Sequence, residues 1–355
     1  MEIRRVQITG GASYIISLPK EWARSQKIGK NDPLGVLIQE DGTLLITPRI
    51  SGEKSQRQRT FDVTPGMDPV FLFRLLIAAY IGGYSMIRLS AANRFPPFVR
   101  AIVRDFTRMT IGQEVAGETE VSIAITDLLN PEEMPLDRTI SRMAVIVRSM
   151  HRDAMSALLT ANSSLAADVI ARDNDVDRLH WLISRQFNLI LSDPNLARSM
   201  KVTPAMASRS YVLSRLIERI GDHGVRIAEN AGNLMERRLE TSEKNSLAES
   251  MDLALELFAR GIDAFFSGEL EDSHQIIGMV APLEARCSEM DAMAQHHAGE
   301  IATALVAIIG SIRRIGEYTE DICENTINHL VAEGMSGLHP GAGSTSEKSA
   351  SRAIR

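Results

Sequence analysis

The stretch Leu213-Ser-Arg-Leu-Ile-Glu-Arg-Ile-Gly-Asp-His-Gly-Val-Arg-Ile-Ala-Glu-Asn230 decides the fold of this chain, because its apolar residues recur at helical spacing and its pattern returns later. It aligns on residues 308–325, where Arg-Ile-Gly is again followed by an acid and Glu-Asn again closes the block. Upstream, Asp173-Asn-Asp-Val-Asp177 aligns on Cys287-Ser-Glu-Met-Asp291. We therefore predict a duplicated unit of three helices, since the repeat distance is too long for a solenoid.

Helical periodicity continues from residue 136 to residue 333. Turn and helix-end residues interrupt it, which predicts six helices in two sets of three, 136–236 and 240–333. After Gly334 the composition turns to Gly, Ser and Ala, so we predict a disordered tail over 334–355. The predicted breaks lie near Asn162, Asp193-Pro194, Glu240-Thr241, Gly268 and Gly299.

Acidic residues form a stripe on the repeated helix and a second stripe on the helix before it. At about 100° per residue, the three acids of the repeated helix fall within about 40° of one another, opposite its apolar side. If the two helices are neighbours, carboxylate oxygens and an imidazole suit iron, manganese or magnesium. The stripes consist of Glu218, Asp222 and Glu229 on the repeated helix and of Asp173, Asp177 and His180 on the preceding one.

A simpler interpretation of these acids stays open. Helix positions opposite an apolar stripe normally hold solvent-exposed residues, so acids are expected there without any ligand. Arg215, Arg219 and Arg226 can pair with these acids at helical spacing. Gly221 and Gly316 interrupt the two repeated helices, where a glycine costs roughly 1 kcal/mol against alanine. They therefore indicate a close helix approach or room for a ligand.

The first fifty residues predict a small β unit with one short helix. The strands are short and cannot bury much alone, so we expect them to intertwine with those of a second chain. Asp41-Gly42 suits the positive φ angles of a tight hairpin turn. The predicted strands are 6–9, 14–18, 34–39 and 43–48, and the helix begins at Pro19.

Residues 51–59 are polar and predict a linker, which is followed by a small α/β region over 60–130. Its predicted strands are 60–63, 85–89 and 113–125, and its predicted helices are 69–81 and 97–109. It contains no glycine-rich nucleotide-binding motif, so we expect a spacer or a support for a dimer.

The composition of the 355-residue chain limits the classes of protein to which it can belong. Its 44% hydrophobic and 24% charged residues are ordinary for a globular protein, and two cysteines cannot form a disulfide framework, which favours the cytoplasm. No apolar run reaches the roughly 20 residues of a membrane span, so no insertion is expected. Residues 1–59 carry ten basic against six acidic side chains, a net charge of +4 on an otherwise acidic protein.

The helical part resembles the PhoU family of phosphate-signalling regulators, chiefly in Glu218-Arg-Ile-Gly-Asp222-His223 and in Asp173-x-x-x-Asp177. The resemblance implies duplicated three-helix bundles whose acids bind a metal ion such as iron, manganese, zinc or magnesium. The second copy departs from the pattern, since Arg313 stands in the place of Glu218, which predicts a weakened site there. The implied metal residues are Asp173, Asp177, Glu218, Asp222 and Glu229, with Asp291, Glu317, Asp321 and Glu324 in the second copy.

The N-terminal residues 5–22, followed by Ile28-Gly-Lys-Asn-Asp32 and the hairpin, look like the AbrB/SpoVT swapped-hairpin family. The resemblance implies a homodimer that presents Arg4, Arg5, Lys20 and Arg24 to DNA, where basic side chains can neutralise phosphates. The alternative is a head that only dimerises.

Together these resemblances imply a phosphate-responsive regulator and not an enzyme, with a phosphate transporter or a sensor kinase as partner and the head acting on transcription. A second hypothesis confines the function to protein–protein regulation of phosphate uptake. A third and remote hypothesis is that the protein is a di-iron carboxylate oxidase, an enzyme that needs inward-facing Glu-x-x-His pairs. Only Asp177-Arg-Leu-His180 approaches such a pair.

Overall fold

A computed structural model describes residues 2–38, 42–48, 57–234, 239–332 and 334. The chain divides into two compact units, Met1–Ser55 and Gln56–Arg355. The predicted linker residues 51–56 and the predicted tail after Gly334 lie outside the described residues, as does Asp41 of the predicted hairpin turn.

The described residues of the N-terminal unit form two antiparallel strand pairs and one short helix. The first pair turns at Gly10 and Gly11, whose φ angles of 64° and 84° need glycine. Most of its large apolar side chains are exposed in the single chain; Ile8 is 65% and Ile38 76% exposed. The elements are β1 Gln7–Thr9, β2 Ser13–Ile15, α1 Lys20–Ser25, β3 Gly35–Ile38 and β4 Leu44–Thr47.

The second unit begins with an α/β region built on a four-stranded sheet. Strands β5 (Gln58–Asp62) and β6 (Met86–Ser90) pair in parallel, and β8 (Ser122–Asp127) pairs antiparallel with both β6 and β7 (Gln113–Glu118). The strand order is β5-β6-β8-β7. Helices α2 (Pro69–Ile81) and α3 (Pro97–Met109) help to form its core.

The prediction of one strand over 113–125 is wrong, because a turn divides it into β7 and β8. The Thr119 hydroxyl oxygen accepts a hydrogen bond from the Ser122 N–H at 2.9 Å, which stabilises this turn.

The described residues from 136 onward are helical, as predicted, with six long helices and two short ones. The short helices α6 and α9 were not predicted. Pro282 supplies the reason for the break before α10, since its ring would clash with the carbonyl of Gly278 in a continuous helix. The helices are α4 Leu136–Thr160, α5 Ser163–Ser192, α6 Pro194–Ser199, α7 Pro204–Leu234, α8 Thr241–Ser267, α9 Leu270–Gly278, α10 Val280–Ala294 and α11 Glu300–Ala332.

The two sets of helices share one hydrophobic core. Helices α4, α5 and α7 pack together, α8 to α11 form the second set, and α7 also packs against α11. None of the helices in the described ranges combines the length and the apolar character needed to cross a lipid bilayer.

A buried ion pair attaches the α/β region to the helices. Arg185 of α5 donates to the Asp127 carboxylate at 2.5 Å and to the Tyr84 carbonyl at 3.0 Å, and it also donates to the Tyr80 carbonyl. Trp181 packs against the core of the α/β region. The region predicted as a spacer is therefore packed directly on α5.

Candidate metal centre and nucleic-acid interface

Helices α4 and α5 contact α7 at Gly221. A Cβ atom at this position would lie 3.4 Å from Val147 Cγ2, 3.5 Å from Val176 Cγ1 and 3.7 Å from Asp173 Oδ1. These are ordinary van der Waals distances, so the position would accept a methyl group, whereas a larger side chain would meet the two valines. The contact brings Asp173 of α5 next to this part of α7.

Glu218 is the most buried acid of this pair of helices, at 9% exposure. Its Oε1 atom accepts a hydrogen bond from Arg215 at 2.9 Å, while its Oε2 atom and Asp173 Oδ1 are buried without a hydrogen-bond partner among the described residues. The expectation that these acids face away from the core is wrong for Glu218, because α5 covers this part of α7. Asp222 and Glu229 are exposed, as expected.

Burial raises the pKa values of the four acids near Gly221, and neighbouring acids add to the effect at three of them. Burial, and then Asp222, raise the pKa of Glu218 to about 7 and that of Asp173 to about 6. Burial raises the pKa of Asp177 to about 6, with Asp173 and Asp222 adding to it and Arg215 opposing. The partial loss of solvent around Asp222 also raises its pKa, although the charges of Arg215 and Arg219 oppose the rise. We call Asp173, Asp177, Glu218 and Asp222 the carboxylate cluster.

The carboxylate cluster can attract a cation, because clustered negative charge and unpartnered carboxylate oxygens are both stabilised by one. Within the described ranges, however, no group of three or more His, Cys, Asp or Glu side chains is arranged to hold a metal ion as it stands. Asp177 is half-buried and Asp222 is exposed, whereas Glu218 is buried.

Two residues predicted beside this cluster lie in other surroundings. Glu229 is exposed seven residues beyond Asp222 on α7, a distance of roughly 10 Å along the helix. His180 is buried, its Nδ1 atom lies 3.0 Å from Ser214 Oγ, and its ring stacks on Tyr211. Burial lowers the pKa of His180 to about 4, with Arg215 adding to the effect.

The second copy of the motif is largely paired with arginines. Asp291 forms an ion pair with Arg313, and Glu317 forms one with Arg314. Asp321 and Glu324 are exposed, and burial followed by the charges of Glu324 and Glu317 raises the pKa of Asp321. Arg313, which replaces the acid of the first copy, thus neutralises part of the charge that a cation would need.

His223 lies among arginines on the flank of α7 that faces α11. Its Nδ1 atom is 3.2 Å from Ser311 Oγ of α11. Burial lowers its pKa to about 4, followed by the charges of Arg226, Arg314 and Arg219. The sequence places His223 beside Asp222 but gives no sign of this arginine group, because its members come from two helices that are far apart in the chain.

The four basic residues predicted to contact DNA all lie on the surface of the N-terminal unit. Arg5, Lys20 and Arg24 are exposed, and the exposed Arg4 forms an ion pair with Glu2. Lys27 and Lys30 are also exposed and were not among the predicted contacts. Six basic side chains of the unit are therefore accessible to solvent.

Two parts of the chain match known protein families. Residues 140–231 match the PhoU domain family, and residues 7–54 match the family described as antidote-toxin recognition MazE, bacterial antitoxin. The chain is 23% identical over 230 residues to "Phosphate-specific transport system accessory protein PhoU homolog 1" of Thermotoga maritima, covering 60% of this chain and 93% of the relative. It is 27% identical over 126 residues to a PhoU homologue of Caulobacter vibrioides, covering 34% of this chain and 52% of the relative.

A solved structure shows the same helical fold. PhoU from Pseudomonas aeruginosa superposes with a TM-score of 0.51 at 19% identity and covers 57% of this chain and 98% of its own. PhoU from Streptococcus pneumoniae gives a TM-score of 0.49 at 18% identity, covering 56% of this chain and 94% of its own. The predicted fold class is confirmed. The chain carries a PhoU domain in its C-terminal helical part and a MazE/AbrB-like domain at its N-terminus.

Proposed function

We propose that this protein is a phosphate-responsive regulator of phosphate uptake, in which a metal-binding helical part is coupled to a dimeric, DNA-binding head. The carboxylate cluster is the observation that supports metal binding, because Glu218 Oε2 and Asp173 Oδ1 are buried there without hydrogen-bond partners among the described residues. The relatives named as accessory proteins of phosphate-specific transport support the regulatory role.

The carboxylate cluster would hold the cation between α5 and α7. Carboxylate oxygens suit iron, manganese or magnesium, and a bound cation would favour the ionised form of each acid. Asp173 and Asp177 would contribute from α5, Glu218 and Asp222 from α7. Cation binding would thereby stabilise the contact between the two helices, and the second copy, with its arginine partners, would bind more weakly.

A homodimer of the N-terminal unit is supported by its exposed apolar side chains. Ile8, Tyr14, Val36, Ile38 and Leu44 are each more than half exposed in the single chain, although they lie on its four strands. Burial against a second copy would remove this apolar surface from water, at roughly 25 cal/mol for each Å². Two copies would also double the number of basic residues that can meet DNA.

The DNA-binding part is tested by titrating the full chain with fragments of phosphate-transport promoters, with and without metal and phosphate. We expect sequence-preferring, salt-sensitive binding, which Lys20→Gln and Arg24→Gln weaken. Arg94→Gln is the matched control, because Arg94 is an exposed arginine outside the N-terminal unit. Absence of sequence preference would leave the second function, in which the head only dimerises and the protein acts on a transporter or sensor kinase.

A further inference from the structure

A cleft of about 570 Å³ lies between α7 and α11, next to the end of α10. Its volume is within the range of roughly 300–1,000 Å³ that is usual for small-molecule sites. Arg226 and His223 line it from α7, Arg314 and Gly310 from α11, and Gln295 from the end of α10. The cleft therefore joins the first set of helices to the second.

The charge of this cleft is positive. No acidic residue lines it, and Arg226 has no ion-pair partner in the part of the chain that the structure describes. Arg314 uses one of its nitrogens, Nη1, for Glu317 and retains other N–H donors, since a guanidinium has five. Two arginines from different helices thus line one cleft, and both have N–H donors that no ion pair uses.

Polar groups and free space accompany the two arginines. Thr303 and Gln295 contribute a hydroxyl and an amide to the lining. A Cβ atom added at Gly310 would meet no other atom within 4 Å, so the helix surface there is open. The lining thus offers donors for a polar ligand and room beyond a single ion.

We propose that this cleft binds a small phosphate-bearing molecule, either inorganic phosphate or a phosphate ester, through Arg226 and Arg314. A single carboxylate is satisfied by one bidentate arginine, whereas the oxygens of a phosphate can accept from two guanidinium groups at once. Because the arginines belong to α7 and α11, the ligand links the two sets of helices. The cleft is separate from the carboxylate cluster, and its ligand binding does not depend on a metal there.

Isothermal titration of the full chain with inorganic phosphate, with adenosine monophosphate and with sulfate tests this proposal. Arg226→Gln and Arg314→Gln are each expected to weaken phosphate or ester binding at least about tenfold. Arg286→Gln is the matched control, since it removes one positive charge from an exposed ion pair outside the cleft. Its affinity should equal that of the wild type.

Gly310→Leu is a second variant that keeps every charge. Its side chain enters the open cleft and should weaken binding of the ester, while circular dichroism shows that the helices remain. If inorganic phosphate binds more tightly than adenosine monophosphate, the ligand is the free ion. If adenosine monophosphate binds more tightly than inorganic phosphate, the ligand is an ester. Equal affinity for sulfate, no binding of either phosphate compound, or binding that both arginine variants retain in full would overturn the proposal.

Discussion

Asp173 lies directly across the contact between α5 and α7 from Gly221, with its Oδ1 atom 3.7 Å from the position that a Cβ atom would take. An acid of α5 therefore lies beside the position on α7 that falls between Glu218 and Asp222. A bulky side chain at Gly221 would push apart the two helices that carry the carboxylate cluster.

A larger side chain at Gly221 should separate the two helices. Gly221→Leu would overlap Val147 and Val176, and we expect a loss of about 1–3 kcal/mol in the free energy of unfolding. Gly232→Leu is the control on the same helix, since nothing lies within 4 Å of its Cβ position. Urea denaturation measures both; equal stability of the two variants would contradict the close approach at Gly221.

Neutralising Glu218 should stabilise the metal-free protein at high pH. Its pKa is raised to about 7, so the folded protein holds a proton that the unfolded chain releases near pH 4.5. The free energy of unfolding therefore falls as the pH rises from 4.5 to 7. Above pH 7 Glu218 is ionised in the folded protein, and the full cost of burying its charge remains.

We expect Glu218→Gln to exceed the wild type by about 1–3 kcal/mol at pH 8 and to match it at pH 4. Glu229→Gln, an exposed change on the same helix, is the control. Urea denaturation of chelator-treated protein at the two pH values measures the difference. A wild type that is equally stable or more stable at pH 8 would argue against the raised pKa.

The ion pair between Arg185 and Asp127 should be essential for the α/β region. Their side chains are 3% and 9% exposed. Arg185→Met leaves the Asp127 carboxylate buried without its partner, which we expect to cost about 3–5 kcal/mol. Arg286→Met, which breaks an exposed pair, should cost at most about 1 kcal/mol. Similar costs for the two variants, measured by urea denaturation, would contradict this role.

A charge on the exposed strands of the N-terminal unit should prevent the proposed dimer. Ile8→Asp places a carboxylate where apolar surface would be buried against a second copy. Light scattering should report a dimer for the wild type and a monomer for the variant. Val145→Asp is the control, because Val145 is similarly exposed, at 66%, but lies on α4. A dimer that persists in Ile8→Asp would place the interface elsewhere.

The repeat and its helical spacing predict the helices, and Gly221 predicts the close approach, because both follow from local geometry. The burial of Glu218 could not be predicted, since it depends on α5 covering a helix face that is polar by spacing alone. His180 illustrates the same limit. Its place in the stripe suggests a metal ligand, but its ring lies within hydrogen-bonding distance of Ser214 and stacks on Tyr211, both on α7. The cleft between Arg226 and Arg314 exists only through the packing of two distant helices.

Metal content of the purified full chain tests the central claim, that α5 and α7 hold a cation between their acids. We expect the wild type to retain iron, manganese or magnesium after dialysis, and Asp222→Ala to lose most of it, while Glu229→Ala, on an exposed position of the same helix, keeps it. Unchanged metal content in Asp222→Ala, or none in the wild type after incubation with each metal, would contradict the claim.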